Sequence, residues 1–352
     1  MAIIDKPTDY FNTKLFVGNS STNAITGVGH QPDWTWIKRR DGGNGYSNFV
    51  FDAVRGVNKG ISTNLTAAEI TFNNGFNSFN SDGFTLGANT SNPSATEINA
   101  SGGNYASWNW KAGTSFTNDA SGTGIGTIDS AGSVNTDAGF SIITFTGTGN
   151  AGSVAHGLGA IPKFLVVKSR SNVNGWIVYH VSLGAGKGIS LNLVDAAFST
   201  GSRWNSTEPT STVFSLGTAA DVNRSGGTHV CYAFAEKQGY SKFGSYLGNG
   251  NSNGPYVYLG FKPAFLMIKD VTGTGEWLVW DNKRSPSNEM TRALAANDSL
   301  VEDTTKEMDF LSNGFKIRTT DTNYNASGNT NIFMAFAEEP FVASNYNVAT
   351  AR

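Results

Sequence analysis

The chain has 352 residues, 42 of them glycine, with 15% charged residues and a net charge of −2. Ordinary soluble domains carry about 7% Gly and about 25% charge. Near-neutral charge excludes the basic footprint of a nucleic-acid binder. No apolar run approaches the roughly 18 residues of a membrane helix. A single cysteine, Cys231, excludes an intrachain disulfide. With 23 Phe, 11 Tyr and 8 Trp the chain has material for a packed core, so disorder is excluded as well.

In chain order, residues 1–8 read as a short N-terminal arm without an apolar core of signal-peptide length, so the expectation is synthesis in a cytoplasm. A first module, 9–111, begins with Leu15-Phe16-Val17-Gly18 and reaches Gly29-His30-Gln31-Pro32, a turn followed by an apolar run ending at Lys38. It continues through Phe49-Val50-Phe51-Asp52 and Asp82-Gly83-Phe84-Thr85-Leu86 to Tyr105-Ala106-Ser107-Trp108-Asn109-Trp110. Residues 112–138, rich in Gly, Ser, Thr and Asp, read as a flexible linker.

The same words return in the same order in a second module, 139–237. They are Thr144-Phe145-Thr146-Gly147, Gly159-Ala160-Ile161-Pro162 with its run to Lys168, Trp176-Ile177-Val178-Tyr179-His180, Val213-Phe214-Ser215-Leu216 and Cys231-Tyr232-Ala233-Phe234. A third module, 238–340, repeats Ser245-Tyr246-Leu247-Gly248, Gly260-Phe261-Lys262-Pro263 with its run to Lys269, and Trp277-Leu278-Val279-Trp280-Asp281. It closes on Asn313-Gly314-Phe315 and Phe333-Met334-Ala335-Phe336. Pro to Lys is six residues each time, and the register holds along each copy. Residues 341–352 form a C-terminal arm.

Short runs rich in Val, Ile, Phe, Tyr and Trp, bounded by Gly, Asn, Ser and Pro, predict strands. The expected fold is all-β, three tandem homologous antiparallel β-sandwich modules of jelly-roll or lectin-like kind. Phe164-Leu165-Val166-Val167, Phe265-Leu266-Met267-Ile268 and Trp277-Leu278-Val279-Trp280 are apolar on both faces. An outer sandwich face is normally polar, so a loop, the neighbouring module or another subunit must cover them, and another subunit is the favoured reading. One helix is expected, over residues 288–297.

Candidate chemistry is thin. His30, His156, His180 and His229 show no pair at the spacing of a helical zinc site, and one cysteine cannot build a thiolate cluster, so no metal and no cofactor is expected. Gly184-Ala185-Gly186-Lys187-Gly188 lacks the spacing of a phosphate loop and recurs as the strand word Lys59-Gly60-Ile61-Ser62. The repeated strand-end residues Lys38, Asp52, Lys168, His180, Lys269 and Asp281 read as structural, the acids pairing with Lys38 or Lys269. No catalytic residue stands out. Trp204, between Arg203 and Asn205 in a polar segment, could stack on a sugar ring; the competing reading folds its indole back onto the module.

The words Asp9-Tyr10-Phe11-Asn12, Trp204-Asn205-Ser206-Thr207, Phe234-Ala235-Glu236-Lys237-Gln238-Gly239-Tyr240, Asp281-Asn282-Lys283-Arg284 and Leu311-Ser312-Asn313-Gly314-Phe315-Lys316 carry a family resemblance. The chain resembles tail fibre or virion structural proteins encoded by marine bacteriophages, of cyanophage and pelagiphage type, over nearly its whole length. That resemblance implies a virion location and a non-enzymatic role, most simply a fibre or spike adhering to a host-surface glycan. A homo-oligomer, with three copies, and other virion proteins are the expected partners. A capsid or tail decoration protein without a receptor is the alternative, and a polysaccharide depolymerase is a further one.

Overall fold

A computed structural model describes residues 3–88, 95–344 and 348–350. The outermost residues of both expected arms, and 345–347 within the second, lie outside the described residues. The fold is mostly β, built from antiparallel sheets. No helix among the described residues is long and apolar enough to cross a membrane.

One spatial order of strands occurs three times. In the first large sheet, Phe11–Val17, Asn104–Trp110, Trp34–Arg39, Phe49–Asp52, Lys59–Ser62 and Ile70–Thr71 lie side by side. In the second the order is Phe140–Thr146, Thr228–Ala235, Pro162–Ser169, Trp176–His180, Lys187–Ser190 and Phe198–Ser199. In the third it is Ser241–Leu247, Thr330–Pro340, Phe261–Asp270, Leu278–Asp281 and Leu294–Ala295. A small sheet of two or three strands faces each large one.

Alternation explains why these strands are apolar on both faces. In Pro162–Ser169, Leu165 and Val167 point to a core shared with the facing small sheet. Phe164 and Val166 point the other way, into a central core to which all three large sheets contribute. Leu266 and Ile268 divide from Phe265 and Met267 in the same manner, as do Leu278 and Trp280 from Trp277 and Val279. At the centre Trp110, Phe234 and Phe336, one from each sheet at corresponding positions, form a triangle of rings with centroids 6.2, 5.5 and 5.7 Å apart. The cover expected from a second subunit is therefore supplied by the chain's own other sheets. Each large side chain buried this way contributes about 1.5–3 kcal/mol, which an isolated sheet would forfeit.

Two further expectations are corrected. Residues 112–138 are not a flexible linker: Thr114–Asn118 and Ser130–Asn135 pair with each other, and the latter pairs with Phe140–Thr146, widening the second sheet to eight strands. Serine and threonine on an edge hairpin read like a linker in composition, but Phe116, Ile128 and Val134 pack on the sheet's core. Residues 288–297 form no helix; Leu294–Ala295 is a short strand paired to Leu278–Asp281.

Candidate functional site

The repeated strand-end residues lie where one sheet meets the next. Lys38 Nζ donates to the Asp298 carbonyl at 2.7 Å, Lys168 to that of Thr66 at 3.1 Å, and Lys269 to that of Val194 at 3.0 Å. Each lysine thus reaches the loop that follows the short fifth strand of another sheet, and the first sheet closes onto the third. Burial pulls Lys38 down to about 7 and the other two to about 8. Trp176 and Trp277 donate their indole N–H to the Ser62 and Ser190 carbonyls, while Asn48, at the matching place, donates to that of Ala296.

The acids pair otherwise than expected. Asp52 binds Arg55, three residues on, and accepts from Tyr232 Oη of the second sheet at 2.7 Å. Glu69 joins Arg55 to Arg170 at 3.0 Å each. Asp281 binds Arg284 at 2.6 Å and accepts from Trp108 Nε1 of the first sheet at 3.0 Å; Glu302 binds Arg284, Arg292 and Arg40. The lysines lie further along the strands and take backbone carbonyls instead.

The third junction is the neutral version. His180 replaces the acid and engages the Phe333 carbonyl at 3.1 Å, with Leu183 in place of the arginine. Ala197 and Val271 stand where the other junctions have Glu and Arg, keeping only the backbone bond between them at 3.0 Å. Burial depresses His156, His180 and His229 to about 4. All six repeated residues are thus buried joints between sheets.

Trp204 is placed differently from the sugar-stacking expectation. It ends a one-turn helix, Gly201–Trp204, and is 1% exposed, its ring edge-on to Tyr179 at 6.0 Å. Arg203 pairs with Asp221 at 2.7 Å and lies over the Phe198 ring, while Asn205 takes the left-handed conformation that ends the turn. Polar neighbours in sequence do not expose an indole when the turn rotates it inward.

The loops at one end of the sheets come in threes. At the strand ends away from the Trp110–Phe234–Phe336 triangle, each large sheet carries connections rich in Gly, Asn, Ser and Thr. A buried Asn locks each set. Asn99 accepts from the Asn19 N–H and donates to the Ser21 and Gly87 carbonyls. Asn223 accepts from Thr148 and donates to Asn150 and Gly217; Asn325 accepts from Asn249 and donates to Asn251 and Thr319. The signal was present in sequence as Asn99-Ala-Ser-Gly102, Asn223-Arg-Ser-Gly226 and Asn325-Ala-Ser-Gly328. In each word the Gly has φ between 69° and 79°, a backbone only glycine adopts freely.

Two surface features break the threefold pattern. The Thr114–Asn135 hairpin walls a groove of about 630 Å³ lined by Thr144, Thr146, Thr228, Asp119, Asp129 and Arg170. On the third small sheet, Tyr256 and Tyr258 stand 46% and 54% exposed on the edge strand Tyr256–Tyr258, beside a second groove of about 490 Å³. Among the described residues no group of three or more His, Cys, Asp or Glu lies together as metal ligands.

No curated protein and no solved structure matches the chain. The family model described as "Domain of unknown function (DUF7483)" matches residues 6–340, spanning all three large sheets and the hairpin between the first two. The chain therefore belongs to the DUF7483 family.

Proposed function

We propose that this protein is a non-enzymatic structural component of a bacteriophage virion, a tail fibre or spike that adheres to a host-surface glycan. Its three sheet pairs are, in this reading, homologous copies of one lectin-like sandwich module. The observation that carries the proposal is the joining of the three sheets through one core, which leaves loops clamped by Asn99, Asn223 and Asn325 at the strand ends. Rigid scaffolds that present short loops are suited to recognition. Repeated, individually weak contacts would then act through avidity. The sequence resemblance to marine phage virion proteins supports the location.

A decoration role is favoured by one observation. Asp5 accepts from the Ser344 backbone N–H at 2.7 Å, so the segments flanking the sheets touch there and offer one docking point. Self-association and contact with other virion proteins are assigned to these arms. Antibodies to the purified chain, applied to intact virions under the electron microscope, test the proposal. Label at the tail supports a fibre or spike, label over the capsid supports decoration, and unlabelled virions refute a virion role.

A further inference from the structure

Aromatic rings carry the largest apolar surfaces, and among the described residues nearly all of them are buried or half-buried. Among the described residues the large hydrophobic side chains that stand exposed are aliphatic, with two exceptions, Tyr256 and Tyr258. They are adjacent on one face of an extended strand, about 7 Å apart along it, because Val257 between them turns inward onto the third sheet's core. At the corresponding positions the first small sheet has Ala24 and Thr26, and the second has Ser153 and Ala155. Folding of the shared architecture thus needs no aromatic there.

The pair is held in place. Tyr256 Oη donates to Asn313 Oδ1 at 2.7 Å, and Lys242 Nζ lies 5.7 Å from the centre of the Tyr258 ring. Tyr258 forms one wall of the 490 Å³ groove, whose charged residues are Lys163, Lys237, Lys242 and Glu236. Among the described residues none of these three lysines is in an ion pair, and Glu236 is engaged by the Phe243 N–H at 3.3 Å. A groove with three unpaired cations, in a chain of net charge −2, selects for negative charge. The Tyr258 ring in its wall, with Tyr256 about 7 Å along the same strand face, selects for a ligand with flat apolar faces of its own, which pyranose rings present on their C–H sides.

We infer that Tyr256 and Tyr258 with Lys163, Lys237 and Lys242 form a binding site for an anionic saccharide. The rings stack on the tyrosines and a carboxylate or phosphate substituent meets the lysines. This deepens the adhesion reading and, as a statement about host recognition, rests on it.

The test is calorimetric titration of the full chain with tetragalacturonate, a phosphorylated mannotetraose and neutral cellotetraose. Tyr256→Ala/Tyr258→Ala and Lys163→Gln/Lys237→Gln/Lys242→Gln variants are titrated alongside, with unchanged circular dichroism as the folding check. Binding of either anionic ligand is expected. The tyrosine variant should weaken it about tenfold or more, and the lysine variant should weaken it and flatten its salt dependence. Whichever anionic ligand binds identifies the substituent. Equal or tighter binding of cellotetraose, binding of none of the three, or variants that bind like the parent would overturn the inference.

Sedimentation of labelled protein with intact marine bacteria separates this inference from the adhesion reading. Saccharide binding without cell binding leaves the site standing and refutes adhesion. Cell binding that both variants retain, with no saccharide bound, refutes the site and leaves adhesion standing.

Discussion

Asp281 offers the sharpest test of how the sheets are joined. Its buried carboxylate accepts from Arg284 Nε at 2.6 Å, Trp108 Nε1 at 3.0 Å and the backbone N–H groups of Lys283 and Arg284 at 3.0 and 2.9 Å. Asp281→Ala removes all four acceptor contacts and strands a guanidinium with no exposed side-chain surface. What remains to Arg284 is the Val279 and Arg292 carbonyls and Glu302 at 3.4 Å. Breaking such a pair from one side costs about 3–5 kcal/mol, a large part of the 5–15 kcal/mol that domains possess.

The second sheet shows that the same place can be built without the pair, from His180 and Leu183. Adding Arg284→Leu to Asp281→Ala should therefore recover about 1–2 kcal/mol, because no buried charge is left alone. Urea unfolding followed by tryptophan fluorescence gives both values and their coupling. A loss below 1 kcal/mol for the single variant, or a double variant equal to the sum of the singles, would refute the reasoning.

Three more outcomes are expected. Trp204→Ala should cost about 3–5 kcal/mol, as for a filled core position; an unchanged urea midpoint would return the indole to the surface. Asn223→Ala should cost about 2–4 kcal/mol, having removed three hydrogen bonds made by a buried side chain. Hydrogen exchange should then speed up in residues 147–151 while the central core stays protected, and uniform exchange would refute the clamp. Stability should fall as pH drops from about 6.5 toward 4. The folded state holds His156, His180 and His229 neutral down to about 4, while the unfolded chain takes up their protons near 6.5. Glu69 and Glu302, held below the ordinary carboxylate range despite burial by Arg170, Arg55 and Arg40, act in the same direction, and Glu97, raised to about 7 by burial, opposes them. Urea midpoints at pH 7, 6, 5 and 4 check the sign.

The repeated words were legible because each encodes a strand and its turn: the Gly-x-x-Pro marker, the Trp or Phe run after it and the closing aromatic strand all fall at matching places in the three sheets. Strands apolar on both faces were legible too, but not what covers them. Alternation requires a second apolar partner without saying whether it lies in another chain or 100 residues away. Composition misled at residues 112–138, where an edge hairpin needs only Phe116, Ile128 and Val134 to be anchored. At Trp204 the segment closes into one helical turn ended by left-handed Asn205 and Ser206, and the indole lies inward, which the polar composition does not foretell. Nothing in the sequence singles out Tyr256 and Tyr258, since their exposure depends on Val257 taking the inward side. Asp52 and Asp281 bind arginines three residues on, and the repeated words do not mark those arginines out against the lysines.

Closure of the three sheets within one chain is the claim on which the rest depends, and small-angle X-ray scattering tests it most directly. A closed particle of 352 residues and 37.3 kDa should have a radius of gyration of about 20 Å. About 30 Å at the same mass, as for three 100-residue units of about 13 Å set in a row, would contradict it.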